Sequence, residues 1–157
     1  MNCCGRRNCP GNSLSLTREP ARTATRRAVE LARRAGAIVS FDPNLRPALW
    51  RELDKGREEM LWGCSVCDVL KVAREELEFL TGAGDWEEGA ERLRRTCPNI
   101  RLLLITDGAG ESRALGEKGA AVRPACRRIR AVDTTGAGDV FCGCCLDYLL
   151  THGWEAM

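Results

Sequence analysis

The pentapeptide Thr-Gly-Ala-Gly-Asp occurs twice in this chain, at residues 81–85 in LTGAGDWEEG and at residues 135–139 in TTGAGDVFCG. A glycine-rich turn that opens a helix can hold an anion. Unpaired backbone N–H groups and the positive end of the helix dipole converge there, and glycine lets a phosphate approach closely. A carboxylate closing such a turn suits general-base work, taking a proton from a substrate hydroxyl while the amides stabilise charge on a transferred phosphoryl group. It also suits the plainer task of complementing the dipole. For Asp139 the local sequence supports both readings equally.

The flanks separate the two copies. The first follows EELEFL, a helical run that Gly82 should close in the left-handed conformation. Asp85 then precedes WEEGAERLRR with Glu88 three residues on, a capping-box pattern with Asp as the cap. This copy reads as a helix stop followed by a helix start. The second copy is preceded by the strand-like RIRAV and followed by the apolar helix VFCGCCLDYLLTHG. Strand, glycine turn and helix is the arrangement that gives the anion site its geometry.

The elements around these motifs alternate. TREPARTATRRAVELARRAG reads as a helix with Thr17 as N-cap, Pro20 in the first turn and Gly36 just past the end. Its apolar positions Ala24, Ala28, Leu31, Ala32 and Ala35 recur at helical spacing. AIVSF is a buried strand stopped by the turn-forming DPN. RELDKGREEMLWGC, REELEFL and WEEGAERLRR read as helices, and DVLKV and RLLLITD as strands. SRAL, AAVRPA and RIRAV are strand-like and punctuated by glycine. Apolar strands alternating with helices predict an α/β fold with a mostly parallel sheet covered on both faces. Ligands of such sheets bind beyond the carboxyl ends of the strands. That points to DPN, the segment after DVLKV, TDGAG and DTTGAGD. No internal repeat accompanies the duplicated pentapeptide.

Composition narrows the function classes. With 24 basic and 22 acidic residues the net charge is +2, so no bulk electrostatic argument favours nucleic acid or a membrane surface. The arginine-dense runs ARTATRRAVELARRAG and PACRRIR read as solvated faces. No apolar stretch approaches the roughly 20 residues needed to span a bilayer, and MNCCGRRNCPG lacks the apolar core of a secretory signal. A cytoplasmic location is expected. The ten cysteines include one CxxC (Cys64, Cys67) and a loose cluster (Cys3, Cys4, Cys9), with a single histidine, His152, far from both. That spacing favours reduced thiols over zinc, and Cys142, Cys144 and Cys145 read as small core side chains.

DTTGAGDVF resembles the C-terminal signature of the ribokinase-like, or PfkB, carbohydrate kinases. SFDPNLRPALW, LKVAREELEFLTG and LLLITDGAG are similar to fructokinase segments of that family and occur in the family's order. The resemblance runs from about Ser13 to about Leu150. It implies a ribokinase-like three-layer α/β/α fold and transfer of the γ-phosphoryl of ATP to a sugar hydroxyl, with Mg2+. By resemblance, Asp139 is the catalytic base, and Gly136, Ala137 and Gly138 form the anion hole, with Asp133 supporting the loop. Lys71 and Glu76 approach the nucleotide phosphates and the metal. Thr106 and Gly108 line the ATP site, and Asn44 and Arg46 face the sugar side.

Two departures stand out. The family's N-x-x-E motif appears as Ala73-Arg74-Glu75-Glu76, and Glu111 takes the place of a second glycine in the nucleotide turn. The sugar pocket, its glycine-rich motif and the β lid belong to an N-terminal half with no counterpart here. The expectation is therefore a partial kinase domain over 13–157, residues 1–12 unassigned, an exposed sheet edge that favours oligomers, and weak or no turnover by the isolated chain. Fructose is the favoured sugar and 2-keto-3-deoxygluconate its competitor. The alternative is a non-catalytic chain that binds nucleotide or a partner.

Overall fold

The strands AIVSF, DVLKV and RLLLITD carry apolar side chains at nearly every position, which only a sheet buried on both faces can accommodate. The computed structural model, which describes residues 7–124 and 132–156, shows how they are covered. Six strands form one sheet in sequential order: β1 (Asn8–Asn12), β2 (Ile38–Asp42), β3 (Val69–Ala73), β4 (Leu102–Thr106), β5 (Ser112–Gly116) and β6 (Gly119–Arg123). The first four run parallel, and β5 and β6 add on antiparallel as a hairpin.

Four helices cover one face: α1 (Ala21–Arg34), α2 (Leu53–Val66), α3 (Arg74–Thr81) and α4 (Trp86–Thr96). The period-2 alternation of the strands sends Val39, Phe41, Leu70, Val72, Leu103 and Ile105 to this side. There they pack on Val29, Met60, Leu77, Leu80 and Leu93. The opposite residues, Ile38, Val69, Leu102 and Leu104, meet Leu146 and Leu149 of α5 (Ala137–His152). Among the described residues the three layers are therefore unequal, four helices against one, and the odd helix is the one that the second pentapeptide opens.

Local chemistry explains most boundaries. Gly82 closes α3 at φ 68°, donating to the Glu78 carbonyl at 2.7 Å. Asp85 caps α4 by accepting the Glu88 amide at 2.9 Å. Only half of the expected capping box forms, because the Glu88 carboxylate engages Arg92 instead of reaching back. At α1 the expected cap is corrected. Thr17 ends a 3-10 turn, Ser13–Leu16, and Glu19 accepts the Thr23 amide at 3.1 Å. Gly36 follows the helix at φ 69°, as its sequence position predicted.

Strand β1 falls within the segment the sequence left unassigned. NCPGN has no apolar run to reveal it, yet it pairs with β2 along its whole length. Arg7 accepts the Ile38 amide at 2.8 Å, so residues 7, 9 and 11 turn their backbone groups toward β2 and residues 8, 10 and 12 turn theirs outward. Pro10 thus sits on the outer edge, where it has no N–H to offer. The strand expected at RIRAV lies outside the described residues, apart from Val132. Cys64, Cys67 and Cys97 are buried, as are parts of Cys142 and Cys145, whereas Cys144 is exposed and is no core side chain.

Candidate functional site

The carboxyl end of β2 and Lys71 of β3 lie beside the first turn of α5. A cleft of about 530 Å3 opens between α5 and the β1–β2 side of the sheet, lined among others by Asn12, Asp42, Asn44, Asp139, Cys142 and Asp147. Asp139 is exposed in the first helical turn. Gly136 caps the helix at φ 79°, a conformation that favours glycine, and nothing stands within 4 Å of where its side chain would be. The Ala137 amide donates to the Thr134 carbonyl at 3.1 Å. Among the described residues, no hydrogen bond engages the Gly138 and Asp139 amides, which as first-turn donors have no partner within the helix. Asp133 accepts the Thr135 amide at 2.8 Å, and that bond, with the Thr135 hydroxyl, holds its carboxyl below the ordinary aspartate value.

Lys71 projects from β3 toward the same turn and is only 8% exposed. Its Nζ pairs with Asp42 at 3.0 Å. Asp42 ends β2 and also accepts the Asn44 amide at 3.2 Å, shaping a loop in which Asn44 takes φ 44°. Glu76, likewise 8% exposed, fastens the other side of that loop. One carboxylate oxygen accepts the Leu45 amide at 2.7 Å and the other the Ala73 amide at 2.8 Å. Cys142 lies one turn past Asp139, its thiol pushed up to about 11 by burial and then by the nearby Asp42 charge, with Lys71 acting the other way.

The expected residues divide by location. Asp139 and Asn44 line the cleft, while Gly138 and Lys71 stand in contact behind it. Thr106 and Gly108 sit at the end of β4, where the Gly110 amide donates to Asp107 at 2.6 Å and Arg74 reaches Asp107 at 3.4 Å, outside the cleft lining. Arg46 is exposed, and among the described residues it bonds only to the Leu45 carbonyl at 3.4 Å. Sequence reasoning missed Asp42 and Cys142. Asp42 was visible as the first residue after an apolar strand, but its partner lies 29 positions away and nothing local announces the pairing.

The turn, with its open glycine and two amides that are unbonded among the described residues, fits an anion such as the phosphates of ATP. Magnesium fits less well. It is usually held by one or two carboxylates together with substrate phosphates. Here both Glu76 oxygens serve backbone amides, and among the described residues no group of three or more His, Cys, Asp or Glu side chains is placed to hold a metal. No helix among the described residues is long and apolar enough to cross a membrane.

Comparison with known proteins gives a consistent result. Residues 12–155 match the family described as pfkB family carbohydrate kinase. The chain is 40% identical over 138 residues to fructokinase-1 of Zea mays, covering 88% of this chain and 42% of that protein. It is 41% identical over 143 residues to a fructokinase of Klebsiella pneumoniae, covering 90% of this chain and 45% of that protein. The crystal structure of Vibrio cholerae fructokinase in its fructose, ADP and calcium ion bound form superposes with a TM-score of 0.86 at 30% identity, covering 98% of this chain and 50% of that one. Aminoimidazole riboside kinase of Salmonella enterica gives 0.81 at 33% identity, covering 94% and 50%. The chain thus spans about half the length of the relatives it matches, or less. With the fold, the signature turn and the family match in agreement over nearly all its residues, this chain belongs to the pfkB family of carbohydrate kinases.

Proposed function

We propose that this chain carries the phosphoryl-transfer half of a cytoplasmic sugar kinase, with ATP as donor and fructose as the favoured acceptor. One observation carries the reading: Asp139 stands in the first turn of α5, in the cleft at the strand ends, beside free amides and a glycine cap. ATP supplies the γ-phosphoryl. Asp139 accepts the proton of the sugar hydroxyl as its oxygen attacks, and the amides of Gly138 and Asp139 face the charge that develops on the phosphoryl oxygens. Asp133 holds the turn in shape, and Asn44, held by Asp42, presents the sugar side of the cleft. Glu76 is assigned to holding the loop rather than to magnesium. The fructokinase relatives favour fructose, whereas the riboside kinase among the structural neighbours is named for a different acceptor.

The site is open. Val132 is 98% exposed and Val140 68% exposed on either side of the turn, and Asp139 faces solvent. Much of the catalytic benefit of proximity and water exclusion is lost in such a site. That openness also supports a second reading, a chain that binds nucleotide without turnover. Self-association by extension of the sheet at β1 is disfavoured by the outward Pro10.

Fructose-dependent ADP release by the purified chain tests both readings. Slow turnover that falls by about 10²–10⁴ in Asp139→Ala, with ADP binding not weakened, supports the kinase. Turnover that survives Asp139→Ala overturns it, and ADP binding without any turnover supports the second reading.

A further inference from the structure

The Asp42–Lys71 pair joins the two sides of the cleft. Lys71 Nζ lies 3.0 Å from Oδ2 and 3.3 Å from Oδ1 of Asp42, and the same Oδ1 accepts the Asn44 amide at 3.2 Å. On its other side the lysine touches α5. A Cβ at Gly138 would stand 3.1 Å from Nζ and 3.5 Å from Cε. Gly138 is not among the glycines with positive φ, so its backbone would accept alanine, and a side chain there would crowd the lysine, which would have to give by a few tenths of an ångström. A buried ammonium is costly without a partner, and this one also lies beside the positive end of a helix. Among the described residues a single carboxylate, Asp42, pairs with it and offsets both.

We propose that Asp42 is a positioning residue of the phosphate site. It holds the Lys71 ammonium against the bare Cα of Gly138, so that the lysine and the α5 amides form one anion-binding centre. One carboxylate thereby ties the shape of the Asn44 loop to the placement of that charge. The proposal rests on the kinase reading above, because it takes the first turn of α5 as the place where phosphate binds.

The test is a double-mutant cycle read in calorimetry by binding of a non-hydrolysable ATP analogue, which keeps the γ-phosphate that the turn receives. Asp42→Asn and Gly138→Ala are each made in the natural chain and in a Lys71→Met background. In the natural background each weakens binding of the analogue by about tenfold, as expected for directly coupled residues, and in the Lys71→Met background neither matters beyond about twofold. A second readout is the 15Nζ spectrum. The chain has three lysines, Lys55, Lys71 and Lys118, and only Lys71 is buried. Its signal, identified by its loss in Lys71→Met, moves on adding the ATP analogue and moves in both neighbouring variants. Should Asp42→Asn fail to fold, Gly138→Ala carries the test, because it changes no charge. Equal losses in both backgrounds, or an unmoved Lys71 signal, overturn the proposal and leave the kinase reading standing. Failure of the natural chain to bind either the ATP analogue or ADP overturns the nucleotide reading and the proposal together.

Discussion

Replacing Glu76 by glutamine keeps the length and one acceptor oxygen but removes the charge and turns the second oxygen into a donor. The natural carboxylate serves two amides from different segments, Leu45 at 2.7 Å and Ala73 at 2.8 Å, at a position 8% exposed. It also lies in the first turn of α3, where negative charge is favoured. After Glu76→Gln one amide faces an N–H group and goes unsatisfied, at about 1–3 kcal/mol, while the other exchanges a charged acceptor for a neutral one, at about 1 kcal/mol. The expected loss is about 3 kcal/mol, or roughly 6–12 °C in Tm for a chain of this size. Urea unfolding measures it as a lower midpoint at unchanged slope. Hydrogen exchange at the Leu45 amide should quicken in parallel, because the loop loses its tie to β3. A loss below about 0.5 kcal/mol refutes the assignment, since that is the range of an uninvolved surface position. Magnesium that stabilises the natural chain but not Glu76→Gln would refute it in favour of metal ligation.

Asp85→Ala, in the first copy of the pentapeptide, is expected to cost about 1 kcal/mol of stability as a lost helix cap, with ADP binding unchanged in calorimetry. A loss of binding there would contradict the separation of the two copies. Cys142, with its thiol near 11, is neutral at pH 7–9, so its alkylation rate should rise about tenfold for each pH unit across that range. Peptide mapping by mass spectrometry reads this rate, and a plateau below pH 9 would show that the burial and the Asp42 charge do not act as described.

The elements that announced themselves did so through period and punctuation. Leu102 to Ile105 could only be a strand buried on both faces, Gly82 and Asp85 mark a helix end and a helix start, and the DTTGAGD turn carries its chemistry in consecutive residues. β1 was invisible because NCPGN has neither alternation nor apolar content, and its strand state comes from the ladder with β2. Thr17 looked like a cap because its residue type is right, yet Pro20 stands at the cap position without a side-chain cap bond, and the Glu19 carboxylate just before it accepts the Thr23 amide.

The site shows the same division more sharply. By itself the sequence determined the family, and it placed the glycine turn and Asp139 together at the start of a helix, since these lie within one short segment whose geometry is local. Only the tertiary structure decided what Asp42, Lys71 and Glu76 do. Asp42 meets Lys71 across 29 residues and Glu76 meets Leu45 across 31, and both contacts exist because parallel neighbours bring β2 and β3 to end side by side. A carboxylate's task depends on which amides and cations surround it. Residues far apart in the chain supply those surroundings, and folding alone brings them together.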